Sequence, residues 1–308
     1  MRHVTSLEAL NLTQPSALTI GAFDGVHRGH QALIGQMVSA AHANGRAAVV
    51  LTFFPHPSVV LRGRRPSFYL SSPEEKAEYL AALGVDVMVT HPFNLAVSEI
   101  RASEFVDRLV TLARLDELWC GADFALGHAR EGTVEFLQAA GAKKAFHVRI
   151  MSPVLFDGEA ISSTRIRQTL RDGAVEQAAR YLGRPFRLAG QVVEGAKRGR
   201  LLGIPTANLA ISDERATPAV GVYACRALAP GWQGQAVVNI GFRPTFEGGE
   251  ARPTIEAHLL DFSGDLYGQS VALDFMVRLR PEIKFPGVDA LLAQIQRDIV
   301  SARAILSQ

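Results

Sequence analysis

The sequence has little of several features that would place it in a specialised class. Its two cysteines, Cys120 and Cys225, stand far apart, so neither a disulfide framework nor a cysteine zinc site is indicated. No run approaches the roughly 18 consecutive apolar residues of a membrane-spanning helix. Met1–Leu12 lacks the basic start and apolar stretch of a signal peptide. We therefore expect a cytoplasmic protein without a membrane partner.

An excess of charge of one sign is also missing. The 32 Lys and Arg residues against 30 Asp and Glu residues give a formal charge of +2, which is a poor match for a nucleic-acid partner and leaves small anionic ligands. The sequence contains no GxxxxGK[ST], and no GxGxxG follows a strand pattern. A P-loop kinase is therefore excluded on motif grounds. With 308 residues, 48% of them hydrophobic, the chain can form two domains with their own cores.

Up to about residue 150, short apolar runs alternate with helical patterns. Ser72, followed by proline, and Ser103 are expected to cap two of these helices. The alternation predicts an α/β domain with a parallel sheet covered on both faces and with ligands at the carboxyl ends of its strands. The expected strands are Ala17–Ile20, Ala47–Phe53, Val85–Thr90, Glu117–Gly121 and Phe146–Ile150.

After about residue 187 the pattern changes to short alternating segments separated by Gly, Pro and Asn, which predicts an antiparallel barrel or sandwich. Val288–Leu306 carries an apolar stripe at helical spacing and is expected to pack on the barrel. We expect one domain at residues 1–184 and a second at residues 185–308. The expected strands are Leu188–Val193, Gly221–Ala227, Gln235–Ile240, Thr254–Leu260 and Ser270–Arg278.

The segment GAFDGVHRGH (21–30) follows the first expected strand and carries the strongest chemical signal. Gly21 and Gly25 allow a sharp turn, and a helix from about residue 29 to 43 would direct its positive N-terminal end at that turn. His27 and His30 are one helical turn apart, so both could donate hydrogen bonds to the phosphates of a nucleotide. The alternative is a glycine-rich turn with two surface histidines.

A second candidate phosphate site is ISSTRIR (161–167). Ser163 or Thr164 is expected to cap a helix, and Arg165 and Arg167 place guanidinium groups near its start. Hydroxyls, helix N-termini and arginines bind phosphate well. Taken alone, such a segment is more often just a capped, basic helix start.

A third motif, GAKRGRLLGIPTAN (195–208), has three glycines at four-residue spacing that would let a loop lie against phosphates. Thr206 and Asn208 alternate along a strand, so their oxygens point the same way. Oxygen ligands together with nucleotide phosphates suit Mg²⁺. The alternative is a glycine-rich turn followed by a barrel strand.

These motifs, in their order and spacing, resemble prokaryotic bifunctional riboflavin kinase/FAD synthetases. The first two match the adenylyltransferase half, and the third, together with TIEAHLL (254–260), matches the kinase half. The resemblance implies an N-terminal Rossmann-like nucleotidyltransferase domain and a C-terminal riboflavin-kinase β-barrel with a terminal helix. Other segments agree in order: FFPHP (53–57), LSSPEEK (70–76), SEF (103–105), GADF (121–124), GVY (221–223) and NIGFRPT (239–245).

The resemblance also implies the reactions and the residues that carry them. Riboflavin would be phosphorylated by ATP to FMN, and FMN would be adenylylated by ATP to FAD with release of pyrophosphate, with Mg²⁺ as cofactor. Glu256 would be the base of the kinase, and His27 and His30 the catalytic pair of the adenylyltransferase. Without the resemblance, Glu256 is typical of a solvated strand residue. The other implied contacts are Gly21, Phe23, Asp24, Gly29, Ser163, Thr164 and Arg167 for ATP in the first domain; Asp123 and Phe124 for flavin; Gly195, Arg198, Gly199, Gly203 and Pro205 for ATP in the second; and Thr206 and Asn208 for the metal.

The sequence departs from the family pattern in two segments, and these departures leave alternatives open. Ala22 stands where many members have asparagine. The segment DFALG (123–127), in a region implicated in flavin contact, has Ala125 in place of the usual arginine and lacks the second aromatic residue. One alternative is a riboflavin kinase with a weakened adenylyltransferase, and another is a flavin-sensing regulator without catalysis. The oligomeric state, a homo-oligomer included, the relative rates and the transfer of FMN between sites stay open.

Overall fold

The structure is a computed structural model and describes residues 1–63, 66–195, 203–242 and 253–307. The chain forms two compact units. Unit 1 comprises Met1–Arg65 and Tyr69–Ser163, and unit 2 comprises Pro66–Phe68 and Thr164–Gln308. Among the described residues, no helix combines the length and the apolar character needed to cross a membrane.

Unit 1 is built around a six-stranded sheet in which every strand pair is parallel. The strands of unit 1 are β1 (Arg2–Val4), β2 (Ser16–Ile20), β3 (Ala47–Phe54), β4 (Val87–Pro92), β5 (Leu115–Gly121), β6 (Ala125–Leu126), β7 (Gly132–Thr133), β8 (His147–Met151), β9 (Leu155–Phe156) and β10 (Glu159–Ala160). The sheet has the order β1-β4-β3-β2-β5-β8, while β6 with β7 and β9 with β10 form small hairpins. The predicted parallel sheet is confirmed.

The helices of unit 1 lie between these strands. They are α1 (Arg28–Ala43), α2 (Pro57–Arg62), α3 (Pro73–Ala82), α4 (Leu95–Ser98), α5 (Ala102–Leu112) and α6 (Val134–Lys144). Two hydrophobic clusters cover the two faces of the sheet, because neighbouring strand residues such as Ala17 and Leu18 belong to different clusters. All five residues of β2 are buried.

The position of β2 in the sheet determines where a ligand can bind. β3 and β4 lie on one side of β2, and β5 and β8 lie on the other. The direction of the chain across the sheet therefore reverses at β2, and the carboxyl ends of the strands at such a reversal form a crevice. The residues after β2 are those of the GAFDGVHRGH motif.

The expected helix caps have different outcomes. Ser72 caps α3 as predicted, and Glu75 completes a capping box with it. The prediction for Ser103 is wrong, since α5 begins at Ala102 and the preceding residue makes no side-chain cap. Instead, Glu131 accepts the backbone N–H of Ala102 at 2.7 Å. The carboxylate of Glu131, from a distant segment, therefore replaces the side chain of a local N-cap residue.

Unit 2 contains the predicted antiparallel barrel, which is closed. Its strands are β11 (Phe186–Val193), β12 (Ala207–Ala210), β13 (Gly221–Ala229), β14 (Trp232–Phe242), β15 (Pro253–Leu259) and β16 (Ser270–Arg280), in the order β11-β12-β15-β14-β13-β16. Its helices are α7 (Ser163–Arg171), whose first residue belongs to unit 1, α8 (Val175–Leu182) and α9 (Val288–Leu306).

The terminal helix α9 packs on the outside of the barrel. Val222 and Ala224 of β13 form a cluster with Ala302 and Leu306 of α9. Arg280 at the end of β16 donates to both carboxylate oxygens of the buried Asp298 on α9, at 2.8 to 3.1 Å. A bidentate ion pair of this kind fixes the orientation as well as the contact of the helix.

Candidate functional sites

The turn between β2 and α1 has an unusual backbone. Gly25 has φ 78°, and the non-glycine residues Phe23 and Val26 have φ 45° and 38°. Non-glycine residues rarely adopt the left-handed backbone conformation, so surrounding contacts must hold Phe23 and Val26 there. Such concentrated strain is typical of a functional turn.

His27 and His30 lie together at the start of α1. Their rings stack with centroids 3.6 Å apart and an interplanar angle of 17°. His27 is the N-cap of α1, and its Nδ1 accepts the backbone N–H of His30 at 3.3 Å. In the neutral ring the proton of His27 is therefore on Nε2, the nitrogen that can donate to a phosphate.

The protonation state of His30 follows from its surroundings. Burial, and then the neighbouring charges of His27 and Lys76, hold the pKa of His30 well below its usual value. The Nδ1 atom of His30 is buried and has no hydrogen-bond partner within the described part of the chain. His30 is thus a neutral imidazole with an unused polar atom at the edge of the cleft.

Residues 70–71 and Ser163 hold the turn in place. Asp24 is buried, and its Oδ1 accepts the backbone N–H groups of Leu70 at 2.9 Å and Ser71 at 3.3 Å. The backbone N–H of Gly25 donates to Ser71 Oγ at 3.1 Å. Ser163 Oγ donates to the carbonyl of Asp24 at 2.9 Å. Asp24 and Ser163, both expected to contact ATP, therefore also use polar atoms to shape the turn.

A cleft of about 1270 Å³ opens above this turn within unit 1. Ligand pockets commonly measure about 300 to 1,000 Å³, so this cleft has room for more than one small molecule. His56 and His128 also line it. The expected site residues that line it are Gly21, Phe23, Asp24, His27, Gly29, His30, Asp123, Phe124 and Ser163.

Thr164 and Arg167 belong to unit 2, on α7. Because α7 begins at Ser163, neither Ser163 nor Thr164 precedes the helix, and the expected capping role is not supported. Arg167 Nη2 lies 3.3 Å from Thr164 Oγ1, and its guanidinium group lies 4.5 Å from the centre of the Phe68 ring. The contact of both residues with a triphosphate stays a prediction.

The candidate site of unit 2 is a row of polar residues across the barrel. Asn208 on β12 pairs with Glu256 on β15, and Glu256 pairs with Asn239 on β14. Side chains of directly opposite residues are about 5 Å apart and point the same way. Asn239 also pairs with Val222, which packs against α9. The row therefore lies on the outer face of the barrel, beside the terminal helix.

The segment before Asn208 is held against this row. His258, two residues after Glu256 on β15, lies with Nδ1 2.8 Å from the carbonyl oxygen of Pro205. Gly195 follows β11, and a Cβ atom there would clash with the side-chain amide of Asn208, so any larger residue would require Asn208 to move. Gly203, in left-handed backbone, and Thr206 are exposed. The expected residues Arg198 and Gly199 lie outside the described residues.

Comparison with known proteins agrees with this two-site architecture. A family model for FAD synthetase matches residues 10–165, and a family model for riboflavin kinase matches residues 182–306. A bifunctional riboflavin kinase/FMN adenylyltransferase of Listeria monocytogenes is 38% identical over 292 residues, covering 94% of this chain and 92% of the relative. The chain belongs to the bifunctional riboflavin kinase/FMN adenylyltransferase family. It is therefore an enzyme with these two activities, as the sequence resemblance predicts.

Further relatives extend this result. The bifunctional riboflavin kinase/FMN adenylyltransferase of Escherichia coli K12 is 38% identical over 288 residues, covering 93% of this chain and 91% of the relative. A crystal structure of a macrolide-efflux protein from Streptococcus pneumoniae has a TM-score of 0.89 and 31% identity, and the match covers 98% of each chain. The word efflux belongs to the name of that protein alone. The similarity shows that the two chains share a fold.

Sequence reasoning missed two residues of these sites. Lys76 of the adenylyltransferase unit bonds to the Ala22 carbonyl, 54 positions away. Asn239 of the kinase unit flanks Glu256, and only strand register reveals that contact. The segment NIGFRPT includes Asn239, but only the pairing of β14 with β15 shows that Asn239 lies next to Glu256.

Gly29 provides a test of the histidine stack. A Cβ atom at Gly29 would lie 3.1 Å from Cε1 of the buried His27 ring. Alanine normally favours a helix over glycine by about 1 kcal/mol. We expect Gly29→Ala to lower the rate of FAD formation from FMN about tenfold by displacing the ring, without lowering the thermal midpoint of unfolding.

Gly35→Ala is the matched control, since Gly35 lies on the same helix and has open space around its Cα. It should leave the rate of FAD formation unchanged. Equal rates in both variants and the wild type would show that the position of the His27 ring is not important.

Proposed function

We propose that the cleft of the adenylyltransferase unit joins FMN to ATP by direct transfer. The FMN phosphate attacks the α-phosphorus of ATP, the bond from that phosphorus to the β-phosphate oxygen breaks, and pyrophosphate leaves. His27 and His30 donate hydrogen bonds to phosphate oxygens as charge develops. Gly21, Phe23, Asp24, Gly29 and Ser163 form the triphosphate site, and Asp123 and Phe124 contact the flavin. The ATP contacts of Thr164 and Arg167 stay predictions from the sequence.

The histidine stack is the observation that supports this proposal most directly. It stands at the N-terminus of a 16-residue helix, where the helix dipole and N–H groups favour anions. It borders a cleft large enough for two substrates. Holding both reactants in position and stabilising charge can provide most of the acceleration without a protein nucleophile.

We propose that the row on the barrel phosphorylates riboflavin. Glu256 accepts the proton of the ribityl 5′-hydroxyl as that oxygen attacks the γ-phosphorus, and ADP leaves. Gly195, Arg198, Gly199, Gly203 and Pro205 contact the nucleotide. The pairing of Glu256 with Asn208 supports this assignment, because it puts the base next to a residue of the expected metal site.

The residues of the kinase unit fit Mg²⁺. The described residues contain no group of three or more His, Cys, Asp or Glu that could hold a metal alone. Mg²⁺ in nucleotide sites uses only one or two protein oxygens together with water and phosphate. The hydroxyl of Thr206 and the amide oxygen of Asn208 supply such oxygens. Bound Mg²⁺ would neutralise charge on the ATP phosphates.

Two further assignments, the domain boundary and the compartment, are proposals. We place the domain boundary between residues 184 and 185. The match to the riboflavin kinase family model begins close to this position, at residue 182. We place both reactions in the cytoplasm, since the two free cysteines are buried and fit a reducing compartment. ATP, riboflavin and FMN are the small-molecule partners.

A time course tests the proposal. The wild-type protein is incubated with riboflavin, ATP and Mg²⁺, and the flavins are separated chromatographically. We expect FMN to appear first and FAD after it. FMN without FAD would favour a kinase with a weakened adenylyltransferase, while flavin binding without any product would contradict both proposed reactions.

A further inference from the structure

Lys76 is a buried cation under the phosphate-binding turn. It lies on α3 and is 8% exposed. Its Nζ donates to the carbonyl oxygen of Ala22 at 2.6 Å and to Thr52 Oγ1 at 3.2 Å. The hydroxyl of Thr52 also donates to the Ala22 carbonyl, at 3.0 Å. One carbonyl of the turn therefore accepts two hydrogen bonds, one of them from a charged donor.

This contact determines the direction of the next N–H group. In a trans peptide the carbonyl and the following N–H point in opposite directions. With the Ala22 carbonyl turned toward Lys76, the N–H of Phe23 points away from it. Ala22 and Phe23 both line the cleft, and across the described ranges no protein group accepts this N–H. A donor to the carbonyl also polarises the peptide and strengthens its N–H as a donor.

The burial of Lys76 is costly. Burial lowers the pKa of Lys76 to about 8, and the nearby charge of Asp24 opposes this shift only in part. On α1, His30 is the facing titratable group, with His27 stacked on it. A methionine would fill the same space without this cost. The charge must therefore serve a purpose besides packing.

We propose that Lys76 is a positioning residue for FMN adenylylation: it orients and polarises the Ala22–Phe23 peptide so that the Phe23 N–H donates to the ATP phosphates. The inference rests on the proposed binding of ATP at this turn. Lys76 itself does not line the cleft, so it acts through the peptide.

The first test is Lys76→Met. We expect kcat/KM for ATP in FAD formation to fall about 30-fold, because the peptide loses its charged partner. Lys144→Met, the same change at a surface lysine of the same unit that pairs with Asp107, should have no effect. Riboflavin phosphorylation by the same preparations should also be unchanged.

The second readout is the pH profile, which separates the charge from simple packing. In the wild type, kcat/KM for ATP in FAD formation should fall as pH rises through about 8, the pKa of Lys76. Neutral Lys76 keeps hydrogen-bond donors, so a structural role alone would not produce this fall. Lys76→Met should lack it. Relative to Lys76→Met, wild-type stability should rise between about pH 8 and 10.5, because in this range only the unfolded lysine stays protonated.

If Lys76→Met does not fold, Thr52→Val decides the question with the lysine in place. It removes the hydroxyl that directs the ammonium group to the carbonyl, and kcat/KM for FAD formation should fall about fivefold. The inference is overturned if folded Lys76→Met, or Thr52→Val in its place, matches the wild type. The inference is also overturned if kcat/KM for ATP in Lys76→Met still falls as pH rises through about 8. If the wild type forms no FAD, the proposed function itself fails.

Discussion

His30→Ala is expected to reduce FAD formation from FMN and ATP by about 10²- to 10³-fold, the effect typical of removing one donor to developing charge. His30 is stacked on His27 at the helix N-terminus, and its buried Nδ1 has no partner in the described ranges. Both features suit a group that becomes useful only when phosphate is bound. The measurement is FAD formation with FMN as the starting substrate.

His42→Ala is the matched control for this prediction, because His42 is exposed in the last turn of the same helix, where it bonds to the half-buried Asp86. It should retain full activity. Riboflavin phosphorylation should be normal in both variants, since its proposed residues belong to the other unit. Loss of both activities in a folded His30→Ala protein would refute the model of two separate sites.

A stability measurement gives His30→Ala a second readout. The pKa of His30 in the folded protein lies well below the ordinary value of 6.5, chiefly because of burial. Below about pH 6.5 the unfolded chain therefore binds the proton more readily, and folding becomes less favourable as pH falls. The wild type should lose more stability than His30→Ala between neutral and acidic pH.

Glu256→Gln is expected to reduce FMN formation by about 10²- to 10⁴-fold, the range typical of losing a general base. Glutamine preserves the size of the side chain between Asn208 and Asn239, but it cannot take the proton of the riboflavin hydroxyl. The measurement is the rate of riboflavin phosphorylation at saturating ATP. FAD formation from added FMN should be unaffected.

Asp261→Asn is the control for Glu256→Gln. Asp261 is an exposed carboxylate just beyond the same strand, where it pairs with Arg303. Its change should leave riboflavin phosphorylation intact. A normal rate of FMN formation in Glu256→Gln would mean that another group accepts the proton, and Glu282, whose carboxylate lies beside Gly241 and Asn239, would be examined next.

The parts of the structure that follow from local pattern agree with the sequence predictions. Every predicted strand of the parallel sheet is present to within two residues, and α9 has its predicted limits. Hydrophobic periodicity specifies such elements because burial depends on it. The histidine pair was also predictable from local spacing, since residues three positions apart at the start of a helix lie close together.

The parts that depend on long-range contacts were not predictable. Ser103 has the right chemistry for a cap, but Glu131 from a distant segment bonds to the helix start instead. Lys76 reads as an ordinary charged residue of an amphipathic helix until its contact with Ala22 is known. The position of Asn239 beside Glu256 can be recognised only from the register of two strands. In each case the contacting residue lies far away in the sequence, and hydrophobic periodicity does not predict such contacts.

The size of the cleft in unit 1 has a kinetic consequence. A space of about 1270 Å³ is large enough for nucleotide and flavin together, and the proposed direct transfer requires both to be bound before the phosphorus–oxygen bonds form and break. Such a reaction follows a sequential scheme with a ternary complex. Double-reciprocal plots for ATP at several FMN concentrations would then intersect, whereas an adenylylated enzyme formed in a separate half-reaction would make them parallel.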